Sequence, residues 1–339
     1  MKQSGYTALA VVGTGSWGMV LAVHVARKGL SVTLLARTEG EARTLTEAGE
    51  SPRMPGLRFP PVLTVTHEAQ ALRAASVVLF VVPTQSMRDN ARAVTPYLAE
   101  NAILVSASKG LEIESTRSMS QVIHEETAVP LERICALSGP NLAKEIAAGK
   151  PSSTVVACPD LAAAGVVQEL VGSPAFRVYT HDDLTGVELA GALKNVVALG
   201  AGMCDGLEAG DNGKAALMTR GLAEMARLGK AVGAQPLTFS GLAGLGDLIA
   251  TCMSPLSRNR TTGERLARGE RLAAIQQDMR QVAEGVPTTR AARELARRHG
   301  VEMPIVELMN EVLFNDMPVP EAGRALMQRD PKHELEGIL

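Results

Sequence analysis

ALAVVGTGSWG, residues 8–18, is the stretch that decides how the rest of the chain is read. Residues 9–12 are apolar and rich in β-branched side chains, the composition of a buried strand. Gly13, Gly15 and Gly18 follow at once in G-x-G-x-x-G spacing, and residues 19–28 carry a helical pattern that ends at Gly29. Three glycines so spaced recur by chance. Behind a strand, ahead of a helix and with a second strand at Ser31–Leu35, they point to a dinucleotide. Gly13 permits the tight turn, Gly15 lets a pyrophosphate approach the backbone, and Gly18 lets helix and strand pack closely. The N–H groups that open the helix, at the positive end of its dipole, supply the anion site.

The second strand runs out at Ala36 and is followed by Arg37. An NAD-binding fold usually carries an acidic residue there, about 20 residues past the glycines, to hold the ribose 2′-hydroxyl. Arg37 suits a 2′-phosphate instead and favours NADPH, while Glu39 and Glu41 keep use of NADH open. Residues 75–82 and 102–106 read as strands buried on both faces. Lys109 lies just past the second of these, where ligands of open α/β sheets bind. Residues 134–137 form a further strand and lead into Ser138-Gly139-Pro140-Asn141. The next helix opens near Leu142 and includes Ala143. Residues 154–157 and 176–179 read as late strands at the sheet edge, with antiparallel pairing open to them.

From Asp183 the pattern is helix after helix, at 215–232, 256–268, 287–299, 305–314 and 320–327, with prolines at element starts. The 339 residues exceed what one core usually supports. The expected architecture is α/β: a Rossmann-type doubly wound domain over residues 1–188, then an all-helical substrate domain over 189–339. A net charge of −2 offers no basic field for nucleic acid. No apolar run is expected to reach the roughly 18 residues of a membrane span. No signal peptide is expected at the N-terminus. Four scattered cysteines and six dispersed histidines suggest neither disulfides nor a metal site, in keeping with a cytoplasmic protein.

Lys194 shares a helical face with Val187 and Gly191 among small apolar residues. Burying an ammonium there is costly and lowers its pKa into the range useful for proton transfer. A side chain that snorkels to water would avoid that cost. Asp247 edges the glycine-dense segment 241–246 and is either a cap or an anchor for Lys194 or a substrate hydroxyl. Ser257-Arg258-Asn259 opens a helix, with Thr261 and Glu264 at capping-box spacing. Arginine beside the N–H groups of a helix start makes a phosphate site. Val282 and Glu284 precede Gly285, where a helix is expected to end.

In order, VVGTGSWG, SKGLE, SGPNLAKE, GVELAGALKNVVALGAGMCDGL, KAALMTRGLAEMARLG, GLAGLGDLIATC, SRNR, VAEG and GVEMPI cover essentially the whole chain. Together they resemble the bacterial NAD(P)-dependent glycerol-3-phosphate dehydrogenases. The resemblance implies reduction of dihydroxyacetone phosphate to sn-glycerol 3-phosphate, a head-group precursor of glycerophospholipids, by a homodimer. It implies Lys194 as general acid/base and Lys109 near substrate and nicotinamide. Gly139, Asn141, Asp247, Ser257, Arg258 and Asn259 would meet the substrate. Gly13, Gly15, Ser16, Trp17, Gly18 and Arg37 would line the cofactor, with Lys109, Ala143, Arg258, Val282 and Glu284. Asn141 stands where the family usually has Thr or Ser, and Arg53 near a position where relatives often carry an aromatic. Other readings are a β-hydroxyacid dehydrogenase or ketopantoate reductase, which needs no phosphate anchor, and a non-catalytic NADPH sensor, which needs no buried lysine.

Overall fold

The computed structural model describes residues 8–279, 283–331 and 333–334. The chain divides into two compact units. One comprises Met1–Ser108 and Met119–Leu184, the other Lys109–Ser118 and Thr185–Leu339. The second domain therefore starts at Thr185 rather than 189, and it also takes residues 109–118 out of the segment expected to form the first.

The first unit opens with β1 (Ala8–Val12), α1 (Ser16–Ala26), β2 (Ser31–Leu35) and α2 (Glu39–Ala48). A hairpin of β3 (Glu50–Ser51) and β4 (Met54–Arg58) and then β5 (Leu63–Thr66) follow, none of them anticipated from the sequence. β6 (Val77–Phe80), α3 (Met87–Val94), β7 (Ile103–Ser106), α4 (Met119–Thr127) and β8 (Ile134–Ser138) continue the alternation. It closes with α5 (Ala143–Ala147), β9 (Ser152–Ala157), α6 (Leu161–Val171) and β10 (Phe176–His181). The eight-stranded sheet has the order β10-β9-β8-β7-β6-β1-β2-β5, as a doubly wound Rossmann-type sheet requires. All neighbours are parallel except β8 and β9. β10 thus pairs parallel to β9, and the antiparallel step lies one strand further in. Every side chain of β6 and β7 is buried, each fully buried Val, Leu or Ile contributing roughly 1.5–3 kcal/mol.

β1 lies between β6 and β2, so successive strands are added on opposite sides of it. That makes its C-terminal end the switch point where open α/β sheets take ligands. α1 begins at Ser16, three residues before the helix expected from the sequence, because Gly15 is its extended N-cap and Gly18 falls inside the first turn.

The second unit is helical: α7 (Leu184–Gly206), α8 (Gly210–Ala231), α9 (Asp247–Met253), α10 (Arg258–Ala267), α11 (Leu272–Asp278), α12 (Gly285–Arg298), α13 (Pro304–Phe314) and α14 (Val319–Met327). α7 corrects the expectation about membrane spans. By length and composition it could cross a bilayer, but 89% of its apolar window is buried inside the fold, so it is the core helix of this unit. Glycines let α7 and α10 touch backbone to backbone. A Cβ on Gly202 would collide with the Arg260 carbonyl, and one on Gly263 with the Leu199 carbonyl. Pro287 sits in the first turn of α12, not at its start, where its missing N–H breaks no helical bond.

Candidate active site

In the first unit the three glycines have distinct tasks. Gly13 has φ +114°, and a Cβ there would lie 2.5 Å from the Val81 carbonyl oxygen. A Cβ on Gly18 would collide with the Gly13 carbonyl, so this glycine seats α1 against the turn. Gly15 has nothing within 4 Å of the same position. The turn is therefore tight at both ends and open in the middle, the cradle a pyrophosphate fills. Met19 N–H makes the first helical bond, to the Gly15 carbonyl, and the amides ahead of it start the helix's positive end. The residues fit a dinucleotide.

The Trp17 indole packs edge-to-face on Phe176 at 6.3 Å. Arg37 is exposed at the end of β2. Its backbone N–H donates to Glu41, which also accepts from Thr14 in the glycine turn. Gly139 and Asn141 form their own cluster at the end of β8. Asn141 Nδ2 donates to Thr154 Oγ1 at 2.9 Å, and that hydroxyl donates to the Ser138 carbonyl. Asn141 Oδ1 is buried with no partner among the described residues. Gly139 has φ +153° and no room for a side chain beside Thr154. Ala143 opens α5 and packs on the core.

In the second unit Lys194 projects from α7 and is 6% exposed. Its Nζ donates to Asp247 Oδ1 at 3.1 Å and to Thr251 Oγ1 at 2.7 Å. The other Asp247 oxygen accepts from Lys109 Nζ at 2.7 Å. Burial pulls the Lys194 ammonium down to about 8, with Asp247 opposing the fall and Lys109 adding to it. Burial pushes the Asp247 carboxyl up, but the two lysines outweigh it and hold the group below its ordinary value. Two cations and one anion leave the cluster with a net positive charge, suited to an anionic substrate.

Asp247 was expected beside a glycine turn. Instead Leu242–Gly246 is a wide helical turn that runs straight into α9, and this aims Asp247 and Thr251, one turn apart, at the same lysine. A buried amide relay supports them. Asn195 Nδ2 donates to the Lys109 carbonyl at 3.1 Å, Asn259 Nδ2 donates to Asn195 Oδ1 at 2.8 Å, and Gly285 N–H donates to Asn259 Oδ1 at 2.9 Å. Sequence reasoning gave Asn195 and Thr251 no role. The i, i+4 spacing of Asp247 and Thr251 was the signal available for one of them.

Arg258 is exposed at the first position of α10, with the Glu284 carboxylate as its opposite charge. Ser257 is the cap of that helix and accepts from Arg260 N–H at 3.2 Å, so the cap is Ser257 and not the pair Thr261 and Glu264. Glu284 precedes Gly285, which begins α12 rather than ending a helix. Val282 lies outside the described residues.

An open glycine cradle at the switch point of a Rossmann-type sheet, and a helical unit with a buried lysine paired to an aspartate, define a nicotinamide-dependent dehydrogenase. The chain matches the family models for the N-terminus of NAD-dependent glycerol-3-phosphate dehydrogenase over residues 8–164 and for its C-terminus over residues 183–324. It is 46% identical over 338 residues to a glycerol-3-phosphate dehydrogenase [NAD(P)+] of Moorella thermoacetica, covering 99% of each chain. A namesake from Dehalococcoides mccartyi is 48% identical over 97% of this chain and 93% of its own length. The crystal structure of glycerol-3-phosphate dehydrogenase from Coxiella burnetii superposes with a TM-score of 0.91 at 34% identity, over 96% of this chain and 99% of that one. The chain belongs to the NAD(P)-dependent glycerol-3-phosphate dehydrogenases, and it is an oxidoreductase.

Proposed function

We propose that the protein interconverts dihydroxyacetone phosphate and sn-glycerol 3-phosphate, with Lys194 as the group that gives and takes the proton. The observation that carries this reading is a buried ammonium, tuned to about 8, with Asp247 and Thr251 fixing its direction. A bound NAD(P)H supplies the electron pair that reduces the carbonyl carbon. Gly13, Gly15, Ser16, Trp17, Gly18, Arg37 and Ala143 would hold it, with Lys109, Arg258 and Glu284. Lys194 protonates the developing alkoxide, and in the reverse direction its neutral amine takes the proton back. A donor with a pKa near the working pH contributes roughly 10²–10⁴-fold. Lys109 adds a second cation toward substrate oxygens and, through Asp247, keeps Lys194 in place.

Arg258, exposed at the start of α10, anchors the substrate phosphate together with the helix's first amides. Gly139, Asn141, Ser257 and Asn259 complete the substrate set. A cytoplasmic homodimer feeding glycerophospholipid synthesis fits this reading. Family membership supports the metabolic role, and four unpaired thiols accord with a reducing compartment.

The test is NAD(P)H oxidation with dihydroxyacetone phosphate, with phosphate-free dihydroxyacetone and with ketopantoate. Turnover of the first, and its loss from Arg258→Ala through KM, are expected. Equal turnover of the phosphate-free ketone, or preference for ketopantoate, would overturn the reading.

A further inference from the structure

We propose that Glu41 selects between the two nicotinamide dinucleotides, by accepting the hydroxyls of an unphosphorylated adenosine ribose and opposing a 2′-phosphate. The proposal rests on the glycine turn holding a dinucleotide and names the form that turn favours.

The residue expected to do this, at the end of β2, is Arg37. The acidic group that position lacks is supplied by Glu41 in the first turn of α2. Thr14 Oγ1 donates to Glu41 Oε1 at 2.6 Å, and Arg37 N–H donates to Glu41 Oε2 at 3.1 Å. The carboxylate is thus held astride the turns that follow β1 and β2, neighbouring strands at the switch point. The adenosine ribose of a dinucleotide on such a sheet lies against these two turns. Each oxygen spends one lone pair on the protein and keeps another for an incoming donor, since an ionised carboxylate has about four acceptor sites. Ribose 2′- and 3′-hydroxyls are such donors.

A 2′-phosphate is not. It brings about −1.5 to −2 charges beside a fixed carboxylate. Two backbone donors beside the start of α2 are already engaged: Arg37 N–H by Glu41, and Glu41 N–H by Thr38 Oγ1 at 3.2 Å. The exposed Arg37 side chain is a cation that a phosphate can use there. Arg37 and Glu41 therefore pull in opposite directions. Arg37 alone favours NADPH, and Glu41 returns the balance toward NADH.

The experiment is a titration of the protein with NADH and with NADPH, read by quenching of Trp17, the single tryptophan of the chain. Glu41→Gln keeps an oxygen for the Arg37 amide and removes the charge. It is expected to move the NADPH-to-NADH affinity ratio toward NADPH by ~10-fold or more at low salt, and less at high salt, where the repulsion is screened. Arg37→Ala is expected to move the ratio the other way. A ratio within about twofold of wild type in Glu41→Gln overturns the proposal while leaving the dinucleotide site intact. A wild-type protein that binds neither nucleotide overturns the dinucleotide reading itself, and this inference with it.

Discussion

Lys194 and Asp247 meet at 3.1 Å inside a helical unit that leaves the one 6% and the other 2% exposed. Desolvation alone would drive the lysine to its neutral amine. The aspartate, ionised because two lysines share it, keeps the ammonium available up to about pH 8. Thr251, bonded to both, fixes where the proton points.

That balance predicts a pH profile. Ketone reduction needs the ammonium, so kcat should fall as pH rises through about 8, while oxidation of the alcohol, which needs the neutral amine, should rise over the same range. Asp247→Asn removes the group that opposes desolvation. The falling limb of the reduction profile should then move toward acid by about one unit or more. A limb that stays in place would separate Asp247 from the ionisation of Lys194.

Lys194→Ala should lower kcat by roughly 10²–10⁴-fold while the affinity for NADH, read by fluorescence titration, stays close to wild type. Asp247 still pairs with Lys109 in this variant, so no unpaired carboxylate is left in the core. Turnover near the wild-type rate would remove Lys194 from the chemistry.

Much of this was legible in the sequence, and what was not has a physical reason. The sheet was readable because strands buried on both faces are continuous apolar runs, as at Val77–Phe80 and Ile103–Ser106. The buried Lys194 was readable because its neighbours at helical spacing are small and apolar. The partners of that lysine were harder to see. Glycine density at 241–246 suggests a turn, but Gly244 serves close packing. Gly244 has no room for a Cβ beside the Phe239 backbone, and the segment stays helical. The relay from Asn195 to Asn259 joins residues 64 apart, a pairing that no local pattern carries. Nor does anything in residues 109–118 announce that they pack with helices begun some 75 residues later.

The glycine contact between α7 and α10 predicts a contrast between two substitutions of the same kind. Gly263→Ala pushes a methyl into the Leu199 carbonyl and must separate the helix that carries Lys194 from the one that carries Arg258 and Asn259. It should destabilise by about 1–3 kcal/mol and lower kcat/KM with it. Gly40→Ala, in α2 with nothing within 4 Å of the new methyl, should be neutral or stabilise by about 0.4–1 kcal/mol. Guanidinium denaturation and steady-state kinetics of the pair check both. Equal effects would show that the close approach is not what the glycine serves.

Burial sets the sign of the pH dependence at Glu224. Its carboxylate, 4% exposed on α8, accepts Ile305 N–H with both oxygens, at 3.0 and 3.1 Å, and so caps the start of α13. Arg227 and Arg220 face it as well, yet desolvation outweighs the cap and both arginines and pushes the group up to about 7. A carboxyl raised in the fold from the ordinary 4.5 holds its proton after the unfolded chain has released it. Its ionisation therefore costs stability progressively from about pH 4.5 to 7, by roughly 3 kcal/mol in all, and the cost stays constant above that. Glu224→Gln keeps an acceptor for the Ile305 amide and never ionises. Its advantage over wild type in urea midpoint should be near zero at pH 4 and full at pH 8. A difference that is the same at both values would show that the wild-type carboxyl does not change its protonation across that window.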